Sequence, residues 1–251
     1  MLWQRINLKK EDETKLKNKL GTIDFADFYI YFANIMQIFI EGYGFKKSVE
    51  TNKPIDKNNN PIPLYTYAAI EYLQSLDFKN KRIFEFGSGN STLFWLEKGA
   101  IVTSVENNKI WFDDIAKEIG KNSRHQFIFA NGVKYYDSIL EDDSKYDLII
   151  IDGAENRLES TKRAIQKIKE DGMIIIDNSD WFENSTKFIR DKLDFIQIDF
   201  YGFRPSKHNT SVTSIFFSRK SNFKTITKKQ PSFAIGGLER HSQHDVENPA
   251  K

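Results

Sequence analysis

The chain has 251 residues, 39% of them hydrophobic, enough apolar material for one large domain with a core, and a formal net charge of +2 gives no general pull toward nucleic acid. It has no cysteine, which excludes disulfides, thiolate metal sites and cysteine nucleophiles. Residues 1–20 mix charge throughout without an apolar signal-peptide core, and the most apolar run, Phe25–Ile40, is interrupted by Asp27, Asn34 and Gln37, so no membrane span and a cytoplasmic location are expected.

Residues 1–63 are expected to form a helical extension and linker. A charged helical segment reaches Leu20, and an aromatic helix follows from about Phe25 to Ile40, with Phe25, Phe28, Phe32, Ile35 and Phe39 on one broad face. That face is expected to cover the substrate side of the domain or to pair two subunits in a homodimer. The run "TNKPIDKNNNPIP" then marks an irregular loop.

From residue 64 to 219, helix-like and strand-like patterns alternate. Strands are expected at Arg82–Phe86, Ile101–Glu106, Gln126–Ala130, Tyr146–Asp152, Gly172–Asp177, Phe195–Tyr201 and Val212–Ser218, with helices such as Lys109–Ile119 and Glu159–Glu170 between them. This order predicts an α/β fold, a three-layer Rossmann-like sheet of seven mostly parallel strands. Only "GFRPSKHNTS" separates the last two strands, so they should pair as a hairpin with the seventh strand antiparallel. Residues 220–251 form a polar tail expected to wrap the domain or to stay partly without order.

Two glycines, Gly87 and Gly89, sit where the first strand stops, at the sheet edge where open α/β proteins bind ligands. Bare backbone there allows a tight turn and close approach of a ligand, and Asn90, Ser91 and Thr92 then open a helix with free amides. A dinucleotide fingerprint would want a third glycine at Thr92, so an NAD-dependent oxidoreductase is the weaker alternative. Glu106 ends the second strand, where a carboxylate can accept from both hydroxyls of a ribose. A structural turn and a solvated strand-end acid would explain the same residues.

Together, "FEFGSGN", Glu106, "YDLIIIDG" and "GMIIIDNSDW" resemble the class I S-adenosylmethionine-dependent methyltransferases over roughly Leu64 to Arg219. The resemblance implies S-adenosylmethionine as cofactor, S-adenosylhomocysteine as product, and adenine contacts from Ala130 and Asn131. "PLYTYAAIEYL" is similar to the helix before the first strand in bacterial members associated with sugar or surface-glycan modification. Tyr65 and Thr66 at its start could close over the methionine end, or cap and pack the helix. Glu85 is an odd residue for a buried strand and should accept from neighbouring amides or hydroxyls. Asp152 could hold the cofactor's ammonium group or act as a base.

Methyl transfer to a hydroxyl needs a positioned acceptor and a group to take its proton. Asp152, Asp177 and the hairpin-loop His208 are the candidates, and His208 is favoured because an imidazole titrates near neutrality. Arg204 and Lys207 on that loop, with Asn178 and Trp181, are expected to bind the acceptor, Phe182 adding to an aromatic wall. The two basic residues favour an anionic acceptor. Asp152, Asp177 and Asn178 also resemble the oxygen-ligand trio of catechol-type Mg²⁺-dependent O-methyltransferases, a less favoured alternative. His125, His241 and His244 have no comparable placement. The expectation is an O-methyltransferase for a small polar acceptor, a sugar or a phosphorylated or nucleotide-activated surface-glycan precursor, used in polysaccharide biosynthesis. A protein that binds the cofactor without catalysis shares every one of these signals.

Overall fold

The computed structural model describes residues 25–228 and 230–239; the charged segment to Leu20, His241 and His244 lie outside them. Isoleucine- and phenylalanine-rich runs build the sheet, as β-branched and aromatic side chains suit a pleated surface. Its strands are β1 (Arg82–Phe86), β2 (Ile101–Glu106), β3 (His125–Phe129), β4 (Tyr146–Ile151), β5 (Ile168–Asp177), β6 (Phe195–Phe203) and β7 (Thr210–Ser218), in the order β3-β2-β1-β4-β5-β7-β6. The first five run parallel to one another, and β7 runs antiparallel between β5 and β6. The expected α/β sheet with a reversed last strand is therefore present.

The helices are α1 (Phe25–Gln37), α2 (Phe45–Thr51), α3 (Tyr67–Gln74), α4 (Asn90–Glu97), α5 (Lys109–Ile119), α6 (Val133–Asp137), α7 (Arg157–Lys167) and α8 (Glu183–Lys192). Of these, α3 and α4 pack on one face of the sheet, and α6, α7 and α8 on the other. The period-2 alternation of strands sorts the isoleucines between two cores. Ile83, Leu148, Ile150 and Ile175 pack with Leu73 of α3 and Trp95 of α4. Phe84, Phe86, Ile149, Ile151 and Ile176 pack on the other side with Tyr135 of α6, Ala164 of α7 and Ile189 of α8. Every residue of β4 is buried, as a central parallel strand requires.

Several boundaries differ from expectation. The aromatic helix ends at Gln37 and continues as a π-helical turn, Ile38–Gly42. The turn brings Phe39 against Phe45, Tyr67 and Phe203, while Ile30, Tyr31 and Ile35 stay exposed. β3 begins and ends one residue earlier than expected because His125 pairs with Val102. The helix expected over Glu159–Glu170 starts at Arg157, behind the cap Asn156, and stops at Lys167. Ile168 already pairs with Tyr146, so β5 begins there instead of at Gly172. β4 stops at Ile151, one residue before Asp152. β6 and β7 each run two residues further into the hairpin, through the pairs Gly202–Ser211 and Phe203–Thr210.

The described part of the tail straps across the end of α3: Asp77 N donates to Lys224 O at 2.8 Å, and Ile226 N to Ser75 O at 2.9 Å. Among the described residues, no helix is long and apolar enough to cross a membrane.

Candidate functional site

The carboxyl ends of β1, β2, β4 and β5 form one crevice rim. Gly87 closes β1 with φ +101°, and its amide donates to Val105 O at 2.9 Å. A Cβ at Gly87 would come 3.1 Å from the backbone of Gly153, so the turns after β1 and β4 lie against each other. The Gly89 amide donates to Thr92 Oγ1 at 3.1 Å, and that hydroxyl donates to Glu85 Oε2 at 2.5 Å. Trp111 Nε1 holds the turn through Ser88 O at 2.7 Å, and Asn90 Nδ2 reaches Pro54 O at 2.7 Å. Ser91 is partly buried beside them.

Glu85 is 1% exposed, and burial pushes its carboxyl up to about 8; Ser91 and Thr92 offset part of that, and the charges of Asp152 and Glu106 add to it. Its folded pKa lies above the unfolded value of about 4.3, so the folded state holds the proton more tightly. The resulting stabilisation is complete below about pH 4 and is lost as pH rises through about 8. Glu85→Gln cannot ionise, so it should gain on wild type over that window, by about 2–5 kcal/mol near pH 8.5. Denaturant unfolding at several pH values checks this; a stability difference that stays flat with pH contradicts it.

Glu106 is held at the end of β2. Its Oε1 accepts from Asn107 N and Asn108 N at 2.9 Å each, and its Oε2 from Ser88 Oγ at 3.1 Å. Asn108 then caps α5 by accepting from Trp111 N at 3.1 Å, which fixes the chain direction just past the carboxylate. Glu106 and the glycine turn are thus joined through Ser88. Asn131 is exposed after β3, with Ala130 partly buried before it. Beside it, Glu155 accepts from Gly132 N at 3.2 Å, Asn107 Nδ2 at 3.3 Å and Tyr136 Oη at 3.3 Å, tying together the loops after β2, β3 and β4.

A second group of charges lies at the ends of β4 and β5. Arg157, the first residue of α7, points back over the strand ends. Its Nε donates to Gly153 O at 3.0 Å, its Nη2 to Asp152 O at 3.1 Å and Oδ1 at 3.0 Å, and its Nη1 to Asp177 O. Asp177 Oδ1 accepts from Thr213 Oγ1 at 2.6 Å, whereas Asp177 Oδ2 has no hydrogen-bond partner. Arg204 Nη1 stands 4.0 Å from that Oδ2, and Arg204 Nε is also buried without a partner. Burial raises both carboxyls; Asp177 is pushed to about 8, with the charge of Asp152 adding to the effect of burial.

Trp181 is 63% exposed, with the Arg204 guanidinium 6.0 Å from its ring centre, and Phe182 lies 4.2 Å from the Arg157 guanidinium. Asn178 donates to Ser211 Oγ at 2.8 Å. Thr66 donates from its amide to Thr213 Oγ1 at 3.0 Å and from its hydroxyl to Phe200 O at 3.2 Å. Tyr65 is fully buried, its hydroxyl unpartnered and in the field of Asp152, Glu85 and Asp177. His208 is exposed and Lys207 partly so, and neither takes part in the bonds that hold Asp177 and Arg204. His125 lies away from the crevice, 2.8 Å from Ser104 Oγ, and burial lowers its pKa to about 4.

Guanidinium groups stand where the oxygen trio would place a cation: Arg157 on Asp152, Arg204 beside Asp177. Among the described residues, no three His, Asp or Glu side chains gather around a common cation position. Arg157, Glu155, Thr213 and Tyr135 carry no motif and escape sequence reasoning. Asn156 before Arg157 is a helix-cap signal, and the first position after a cap is where a long side chain can reach back toward the strand ends.

No protein-family model matches the sequence, and no curated protein matches it. Solved structures do. A Staphylococcus aureus structure provisionally described as a caffeoyl-CoA O-methyltransferase covers 78% of this chain and all of its own length (100%), at 14% identity and a TM-score of 0.50. The Methanococcus jannaschii fibrillarin pre-rRNA processing protein covers 64% of this chain and 78% of its own, at 15% identity and a TM-score of 0.48. At such identities the first likeness shows the fold, the Rossmann-like arrangement found in methyltransferases.

Proposed function

We propose that the chain is an S-adenosylmethionine-dependent O-methyltransferase for a small polar acceptor, a sugar or a phosphorylated or nucleotide-activated surface-glycan precursor. One observation carries the cofactor assignment. The carboxyls of Glu85, Glu106, Asp152 and Asp177 gather at one end of the sheet around the two guanidinium groups of Arg157 and Arg204. Burial together with the neighbouring carboxylates pushes Glu85 and Asp177 up to about 8, so the crevice already resists further negative charge. A ligand with a sulfonium and an ammonium adds the positive charge that such a site lacks. The pyrophosphate of a dinucleotide would add negative charge to it.

On this reading Glu106 accepts from the ribose hydroxyls, and the bare turn at Gly87 and Gly89 lets the nucleoside approach the chain. Asn131 and Ala130 flank the adenine. Asp152, partly open and paired with Arg157, receives the ammonium group beneath Tyr65. S-adenosylmethionine supplies an electrophilic methyl group, and the protein aligns the acceptor hydroxyl behind it. The free Oδ2 of Asp177 takes the hydroxyl proton. Arg204 stands next to it, its Nη1 4.0 Å away, so a hydroxyl seated between the two can donate to Asp177 and accept from Arg204 at once. Trp181, Asn178 and Lys207 border that position. Because Arg204 is already opposite Asp177, its charge does not by itself require an anionic acceptor. The two guanidinium groups also supply the positive charge that a Mg²⁺ ion would bring, which supports the metal-free route.

Calorimetry with S-adenosylhomocysteine and with NAD tests the cofactor assignment: the first should bind and the second should not bind comparably. Glu106→Ala should weaken S-adenosylhomocysteine binding by about 1–3 kcal/mol, as charge-assisted hydrogen bonds to the ribose are lost. Unchanged affinity in a folded variant would remove Glu106 from the site. Transfer from methyl-labelled cofactor to fractions of small phosphorylated metabolites, with and without a chelator, tests the acceptor class and the metal-free route.

A further inference from the structure

Tyr135 has no place in the site assembled above, yet its hydroxyl ends directly behind the turn at Gly153 that borders that site. Its ring lies in the core beneath the sheet, 5.7 Å from the ring of Phe86, and the residue is 1% exposed. Its hydroxyl has no hydrogen-bond partner. That hydroxyl lies against Gly153: a Cβ on Gly153 would overlap it and come 3.0 Å from Tyr135 Cζ. Gly153 in turn lies against Gly87, so bare backbone at both turns opens the route by which the phenol reaches the strand ends. Burial first, then the charges of Glu106 and Asp152, hold the phenol proton on far more firmly than usual; Glu155 adds to this and Arg157 opposes it.

The group is therefore a fixed O–H in the field of the carboxylates at the ends of β2 and β4, with nothing to donate to. A buried polar group left unpaired is costly, and phenylalanine would fill the same core space without that cost. We infer that the Tyr135 hydroxyl is a ligand contact, donating to a ribose oxygen of a nucleoside seated between Glu106 and Asp152. The inference rests on reading the crevice as a nucleoside site. A ribose hydroxyl is both donor and acceptor, so it can give its proton to Glu106 and accept from Tyr135. The unpartnered phenol O–H finds its acceptor in that contact.

Tyr135→Phe tests this because stability and affinity should move independently. Titrated with S-adenosylhomocysteine, the variant should bind about 5–30-fold more weakly, the loss of one buried hydrogen bond. The ligand-free variant should melt at the same temperature as wild type or higher, since it no longer buries an unpaired hydroxyl. A purely structural tyrosine gives the reverse, a lower melting temperature with wild-type affinity, and that result overturns the inference, as does unchanged affinity with unchanged melting. If wild type binds NAD and not S-adenosylhomocysteine, the methyltransferase reading falls. The same comparison made with NAD, which also carries ribose, then decides the role of Tyr135. Binding of neither ligand by wild type overturns both.

Discussion

Arg157→Ala should destabilise the protein by about 3–5 kcal/mol, because breaking a buried ion pair strands the partner's charge. Arg157 joins the turn after β4, at Asp152 and Gly153 O, to the end of β5, at Asp177 O. Alanine would leave three carbonyls, those of Asp152, Gly153 and Asp177, short of a donor and Asp152 beside Asp177 without its closest cation. The partial exposure of Asp152 lets water relieve some of this, which favours the lower end of the range. Arg157→Lys should recover little, since one ammonium cannot reproduce the planar fork that spans the turn after β4 and the end of β5. Denaturant unfolding near neutral pH measures it. A loss below about 1 kcal/mol would mean that the bonds of Arg157 contribute little net stability.

The second large effect concerns turnover. Asp177→Asn keeps the shape of the side chain and can still accept from Thr213, so the fold and S-adenosylhomocysteine affinity should be retained. Methyl transfer to a hydroxyl acceptor should fall by about 10²–10⁴-fold, the usual loss with a positioned proton acceptor. In wild type the rate should rise with pH toward the Asp177 pKa of about 8, because only the ionised carboxylate can take the proton. A cationic ligand nearby would shift that rise to lower pH. His208→Ala is the matching control, and it should stay within a few-fold of wild type. The opposite pattern, with His208→Ala inactive and Asp177→Asn active, would move the proton-accepting role to the hairpin loop. Loss of activity in a chelator, restored by Mg²⁺, would instead return Asp152 and Asp177 to the metal-ligand reading.

The sheet is legible in the sequence because its evidence is local. Runs such as Tyr146–Ile151 are too apolar for a half-exposed strand, and the short connection between β6 and β7 permits little except a hairpin. Gly87 and Glu106 stand out for the same reason, as each interrupts a strand pattern at its carboxyl end. The start of β5 was not legible. Ile168–Gly172 continues the polar helical pattern of α7, and only the pairing of Ile168 with Tyr146 on β4 makes it strand. Arg204 reads as a free loop cation; the fold draws it to within 4.0 Å of Asp177.

By itself, then, the sequence determined the order of strands and helices and the kinds of residue that end each strand. Hydrophobic period and turn chemistry act over a few neighbouring positions and are written in composition. The tertiary structure alone decided which ends share a crevice and which charges are already paired. It placed Arg157 across β4 and β5, left Asp177 Oδ2 without a partner, and brought the Tyr135 hydroxyl against Gly153. Those contacts depend on crossovers that bring distant segments to one sheet edge. A buried polar atom is satisfied or orphaned only once the fold has closed around it.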